Sequence, residues 1–482
     1  MSAATDSDPV LGSLSLTGCR DAMGRQALRG KRKRTQKAGQ RKTLYGRFLL
    51  CPALFLVVML GVGCGSSSEI NAASTSITLS NGIRVVAVRF PASTNVSIFT
   101  FLPMGLTTDA PDQAQWSHLI EHLVIRSTVP ADSSEANAET LPDHTRLDFY
   151  GHLGNWREGL AHHRRWLEGV PFTEASLAAE KPKVIAECDF TARNFATHKF
   201  AVAAWSQGHR HGKQHVALKG DVMRAGLAEV QRLRDERLVV SNQVTVCVVS
   251  GLESKQVVAE VQKQFGSLRL HSAPVSRVNA THETTSLTWD LDARHLLITW
   301  AIPGFRHEDH AALMVAAQSL NLLLASDPQL KRQTGMSFAG ADLMTPEGSF
   351  LFVSASLRPD SDAEQVRRAI LGHVGRLSSD LALGVQARFI GRQLSTVLTE
   401  LPETKLFKAQ LASGMTMAML EGNSGLQLGM YEHRFGAYRA TLAGRLAGVS
   451  ASDTQRAASA YLSEAKAAVC VLSPAKPSTD SR

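Results

Sequence analysis

His118 and His122 stand four residues apart in the segment HLIEH, with Glu121 directly before the second histidine. On an α-helix, residues at that spacing share a face, with Cβ atoms roughly 5–6 Å apart. Two imidazoles so placed reach one zinc ion at about 2.0–2.1 Å. Glu121 borders the same face and is placed to act as general base toward a water beside the metal. Spacing alone leaves a second possibility open: three polar residues on a solvated helix surface, in a chain with 17 histidines. A catalytic zinc also needs a third protein ligand and an open position. Glu180 and Glu187, seven apart and hence on one face of another helix, are the candidates for that ligand.

These residues need elements to hold them. The helix carrying HLIEH is expected to start at Asp112, with Gln115 three residues on completing a capping pattern. The chain then states one pattern twice. ITLSNGIRVVAVRF and VSIFTFLPMG open a first half with strands, and TSLTWDLDARHLLITWAIPG opens a second. Each half runs on through helical segments and closes on a short apolar strand, Val244–Ser250 and Ala468–Ser473. Strands and helices mixed within each half predict an α+β fold of two homologous domains of similar size, each a mostly antiparallel sheet packed with helices, facing across a cleft. The divisions are a basic leader with an apolar signal or anchor (1–63), a tether (64–74), a first domain bearing the zinc motif (75–270), a linker (271–286), a second domain (287–475) and a tail (476–482).

A length of 482 residues exceeds what one core usually spans. The net charge of +9 points first to nucleic acid, but its location excludes that partner. Residues 1–63 hold 11 Lys and Arg against 3 acidic residues, leaving 41 basic and 40 acidic residues in the body. With no basic face there, nothing calls for a phosphate backbone. The leader has another chemistry. A basic stretch precedes 16 uncharged residues, FLLCPALFLVVMLGVG, and then Cys64 and a Gly-Ser run. That order matches a secretory signal, with Cys64 where a bacterial lipoprotein carries its lipid. An uncleaved helical anchor is the other reading, although the run falls short of the ~20 residues of a spanning helix. Cys188, Cys247 and Cys470 remain in the body, an odd number without paired spacing, so no disulfide framework is implied. His209, His211 and His215 form a histidine-rich patch that reads as an ordinary loop rather than a second metal site.

HLIEH, NAETLPDHT (137–145) and EKPKVIAE (180–187), in this order, resemble the pitrilysin/insulinase family of zinc metallopeptidases, which carry HxxEH, the reverse of HExxH. The resemblance runs from about residue 75 to 474. It implies one Zn2+ per chain bound by His118, His122 and Glu187, with Glu121 as general base and Glu180 as a carboxylate orienting the site. Asn137 and Ala138, in the family's Asn-Ala-x-Thr element, would lie where substrate adds as a strand. Two departures stand out. His122 and Glu187 are only 65 residues apart, shorter than the family's spacing. The family's second domain supplies an Arg and, seven residues later, a Tyr, where this chain has Lys331 and Phe338. Lysine loses the bidentate fork, and phenylalanine loses the hydroxyl that stabilises an oxyanion. The resemblance therefore implies an endopeptidase of unfolded peptides, which the leader and Cys64 would tether on the periplasmic side of a bacterial envelope membrane. It would work as a homo- or hetero-oligomer with a homologue that supplies the Arg/Tyr pair. The alternative is a weak or inactive homologue acting as a peptide-binding or scaffold subunit.

Overall fold

The computed structural model describes residues 73–110, 112–128, 135–141, 143–191, 219–238, 243–270, 285–289, 294–342, 345–346, 348–379, 383–399 and 416–474. The leader, Cys64, His209, His211, His215 and most of the 271–286 stretch lie outside the described residues. No helix among the described residues is long and apolar enough to cross a membrane.

The fold is mixed α+β, with two sheets packed by helices. The first sheet holds β1 (Ala73–Thr78), β2 (Arg84–Arg89), β3 (Asn95–Leu102), β4 (Ala136–Thr140), β5 (Thr145–His152) and β6 (Thr245–Ser250). Their spatial order is β1-β2-β6-β3-β5-β4. The helices of this part are α1 (Trp116–Arg126), α2 (Trp156–Glu168), α3 (Glu174–Thr191), α4 (Lys219–Arg224), α5 (Leu227–Arg237) and α6 (Ser254–Phe265). The second sheet holds β7 (Thr285–Trp289), β8 (His295–Pro303), β9 (Thr334–Asp342), β10 (Gly348–Leu357) and β11 (Ala468–Pro474), in the order β7-β11-β8-β10-β9. With it run α7 (His310–Ser326), α8 (Pro328–Gln333), α9 (Ala363–Ser379), α10 (Leu383–Thr399), α11 (Met417–Phe435), α12 (Arg439–Gly448) and α13 (Ala451–Tyr461).

Setting β1 aside, the two sheets have one connectivity. In each, the first and last strands of the set pair in parallel, β2 with β6 and β7 with β11, and the remaining pairs are antiparallel. The doubled pattern in the sequence is therefore a doubled topology.

Strand alternation explains the apolar runs. Val85, Ala87, Val96, Ile98, Val246 and Val248 point to one face of the first sheet, into a core shared with α1, α2, α3 and α6. Val86, Val88, Phe99, Phe101, Cys247 and Val249 point to the other face, where Leu420 and Leu428 of α11 cover them. Each such leucine contributes about 1.5–3 kcal/mol by leaving water. Both faces are covered, so the central strand β6 is buried at every position. Glycine permits the close approach: a Cβ on Gly429 would lie 2.7 Å from a Phe101 ring carbon and 2.9 Å from Cys247 Cβ. Polar contacts fix the helix in place. Ser93 Oγ donates to Glu421 at 2.7 Å, and Arg434 donates to Asp143 at 2.8 and 3.1 Å. Asp143 sits in the turn between β4 and β5, so α11 ties down the hairpin that ends in the edge strand.

Cys188, Cys247 and Cys470 are buried in α3, β6 and β11 and form no disulfide.

Candidate metal and catalytic site

The motif helix begins later than its sequence signals indicate. α1 starts at Trp116 with Gln115 at its N-cap, and Asp112 lies outside it. Two other aspartates organise the start. Asp109 Oδ1 accepts from the Ser117 amide at 3.1 Å and from Ser117 Oγ at 2.5 Å. Asp221, on α4, accepts from the Ala114 amide at 3.0 Å, and its carbonyl accepts from Trp116 Nε1 at 3.0 Å. A carboxylate reaching the first helical amides satisfies donors that have no partner within the helix. Full burial pushes Asp109 up to about 7, against the hydrogen bonds from Ser117 and the charge of Arg237.

Leu119, Ile120, Leu123 and Val124 anchor α1 in the core, which leaves His118 and His122 on its other side, less than a fifth exposed. Their ring centroids are 5.0 Å apart. α3 packs against α1 through Leu177, Val184 and Cys188 and brings up both glutamates. Glu187 Oε2 lies 3.3 Å from His118 Nε2 and 3.5 Å from His122 Nε2. Glu180 Oε2 lies 3.1 Å from His122 Nδ1, and Lys183 Nζ donates to the other oxygen of Glu180 at 2.5 Å. His118, Glu121 and His122 also place one potential ligand atom each within 4.8 Å of one another.

The charges are tightly coupled. Burial works against a charged His122, but hydrogen bonds to Glu180 and Glu187 and the field of Glu121 raise it to about 10. Glu187 goes the other way: burial favours its neutral form, yet hydrogen bonds from His118 and His122 hold it well below the usual carboxylate range. Glu180 is lowered in the same manner, by His122 and Lys183 against burial.

Glu121 is only 6% exposed and has a partner of its own: Thr140 Oγ1 donates to Glu121 Oε2 at 2.7 Å. Thr140 ends β4, which among the described residues is the edge strand of the first sheet and pairs with β5. Asn137 is exposed on that strand and Ala138 is half-buried beside it. The fold thus joins His118, Glu121, His122, Glu180 and Glu187 in one cluster and places Asn137 and Ala138 on the strand whose end touches it.

Lys331 and Phe338 belong to the elements of the second sheet. Lys331 is exposed on α8, and Phe338 lies on β9, edge-on to Phe352 at 5.7 Å. Three contributors have no site role in the sequence reading: Thr140, Gln115, which is read there only as part of the helix start, and Asp109. Thr140 closes the Asn-Ala-x-Thr element, so a signal for it was present. Asp109 carries no motif.

No family model matches the chain. An uncharacterized zinc protease of Mycobacterium leprae is 24% identical over 397 residues, covering 75% of this chain and 83% of the relative. Among solved structures, a protease from Helicobacter pylori superposes with a TM-score of 0.63 at 18% identity, covering 83% of this chain and 100% of that one. The first half of the periplasmic protease PqqL from Escherichia coli gives 0.58 at 14% identity, covering 85% and 93%. The chain has the M16, or pitrilysin, fold, with a His-x-x-Glu-His cluster that could hold a metal ion.

Proposed function

We propose that this chain is the zinc-bearing subunit of an endopeptidase that cleaves unfolded peptides at the bacterial cell envelope. The observation that carries the reading is the convergence of two imidazole Nε2 atoms on one oxygen of Glu187, with Glu121 held apart by Thr140. Two ligand atoms bound tetrahedrally at about 2.0–2.1 Å from a zinc ion stand about 3.3–3.4 Å from each other. The observed separations of 3.3 and 3.5 Å fit that requirement. His118, His122 and Glu187 would hold the ion, and Glu121, engaged with Thr140, is left free of ligation for proton transfer.

Zinc, when bound, supplies Lewis acidity, lowering the pKa of water and polarising the scissile carbonyl. Glu121 takes the proton of the attacking water and returns it to the leaving amine. Thr140 holds the carboxylate in place through one oxygen, leaving the other for the proton. Glu180 accepts from His122 Nδ1, which fixes the ring tautomer with Nε2 toward the metal position. β4 offers an open edge to an extended peptide, with Asn137 and Ala138 flanking the bond to be cut. Recognition by backbone hydrogen bonds suits unfolded chains of varied sequence. In this reading the two sheets belong to homologous domains (75–270 and 287–475) that face each other across the substrate.

The second domain contributes less than it should. Lys331 lacks the guanidinium fork and Phe338 the hydroxyl that would stabilise the tetrahedral intermediate. The part of PqqL that this chain resembles is itself the first half of that protease. Both points favour a homologous partner that brings an Arg/Tyr pair to the same peptide. We expect addition of such a homologue to raise peptide cleavage by the full chain about 10²–10³-fold, the worth of one oxyanion donor. Equal turnover with and without any homologous chain would remove the partner from the account. The same pair of residues favours a second reading, an inactive peptide-binding subunit, which turnover of any kind would exclude. The basic leader and Cys64 support attachment to the envelope, by lipid or by helix, and PqqL is described as periplasmic.

A further inference from the structure

Gln115 is the only non-glycine residue with positive φ among the described residues, at φ 68° and ψ 9°. Side chains other than glycine are disfavoured there because Cβ crowds the following carbonyl oxygen. Such strain persists only where the surroundings hold it in place, and it gathers at functional sites. A glycine would adopt this backbone freely, so the glutamine side chain needs a reason to be present. It is 6% exposed, and its Oε1 lies 3.1 Å from His118 Nδ1.

The two histidines of the motif are thereby held in the same manner. His122 has Nδ1 at 3.1 Å from Glu180 and Nε2 toward Glu187. His118 has Nδ1 at 3.1 Å from Gln115 and Nε2 toward Glu187. We infer that Gln115 is a positioning residue for the metal ligand His118: its carboxamide oxygen accepts from Nδ1–H, fixes the tautomer with the lone pair on Nε2, and keeps the ring facing Glu187. The inference rests on the zinc site proposed above. A neutral acceptor has a second use. Glu121, Glu180 and Glu187 already bring three carboxylates to the cluster, and an amide orients the imidazole without adding a fourth.

The test uses full-length protein with Gln115→Asn, Gln115→Gly and Gln115→Glu. Asn and Gly both tolerate the left-handed backbone, but neither reaches His118, whereas Glu keeps an acceptor at the same length. Zinc dissociation constants come from competition with a chelator, and thermal midpoints from the metal-free proteins. Expected are an affinity about tenfold weaker in the Asn and Gly variants, with metal-free midpoints equal to or above the native one, and native-like affinity in the Glu variant. Unaltered affinity in Asn and Gly overturns the inference. So does a loss of affinity that comes with a lowered midpoint, which marks a structural turn residue. A native protein that takes up no zinc removes the site itself and the inference with it, a result distinct from native binding with indifferent variants.

Discussion

Replacing Glu121 by Gln is expected to lower peptide cleavage about 10²–10⁴-fold, the usual worth of a general base, with zinc content unchanged. The substitution is close to isosteric. Its amide oxygen still accepts from Thr140, which lies 2.7 Å from the present carboxylate, so the side chain stays in place. What it loses is the ability to take a proton. The proposed metal contacts should be untouched, because the Nε2 atoms of His118 and His122 both face Glu187 Oε2. Cleavage of an unstructured peptide by native and variant protein, each assayed with the homologous partner, reads the effect. A variant that retains native turnover would place the base elsewhere. A variant that loses its zinc along with its activity would make Glu121 a ligand, reversing its role with Glu187.

Acid should weaken the fold from about pH 6.5 downward, above the range where ordinary carboxylates titrate. His163 is fully buried, bonded through Nδ1 to Thr100 Oγ1 at 2.7 Å and packed on Trp166, and burial lowers it to about 3. His310, bonded to the Pro303 carbonyl at 2.9 Å, is lowered to about 4 by burial. His433, on α11 against Phe101 and His144, is held well below the ordinary imidazole value for the same reason. A histidine with a depressed folded pKa binds its proton first in the unfolded chain. Stability is therefore full above about 6.5 and falls as pH drops from there toward 3–4. Between pH 7.5 and 4.5 the fully buried His163 alone accounts for about 2–3 kcal/mol. Asp109 opposes the trend, since its raised pKa makes it more favourable as pH falls below about 7. The histidines outnumber it, and the apparent midpoint should drop by about 5 °C over that range. Calorimetry on native protein and on His163→Phe tests this, because the variant should show a shallower pH dependence whatever its absolute stability. Parallel profiles for the two proteins would mean that His163 takes no part.

The legible parts of this molecule are those written in local patterns. Two histidines at helical spacing, two glutamates seven apart and β-branched runs such as Val244–Ser250 declare themselves because one element suffices to define each. The cluster of five side chains followed from those elements once α1 and α3 packed together. What stayed hidden depends on contacts distant in sequence. Nothing in the first half announces that α11, more than 160 residues beyond β6, covers the outer face of its sheet, or that Arg434 holds the β4–β5 turn through Asp143. The start of α1 was misplaced for a related reason. Asp112 looked like the cap, but the carboxylate that reaches the helix amides is Asp109, brought there by the loop path. Gln115 was unreadable because its importance lies in a backbone angle that glycine would ordinarily supply.

The central claim is that this cluster binds one catalytic zinc, and metal content tests it most directly. Full-length protein purified without chelator, and its His118→Ala/His122→Ala double variant, would be analysed for zinc per chain by elemental mass spectrometry. The account predicts about one zinc per chain in the native protein, the complement of a single His/His/Glu site, and almost none in the double variant. Native protein without zinc, or a double variant that keeps it, would contradict the account.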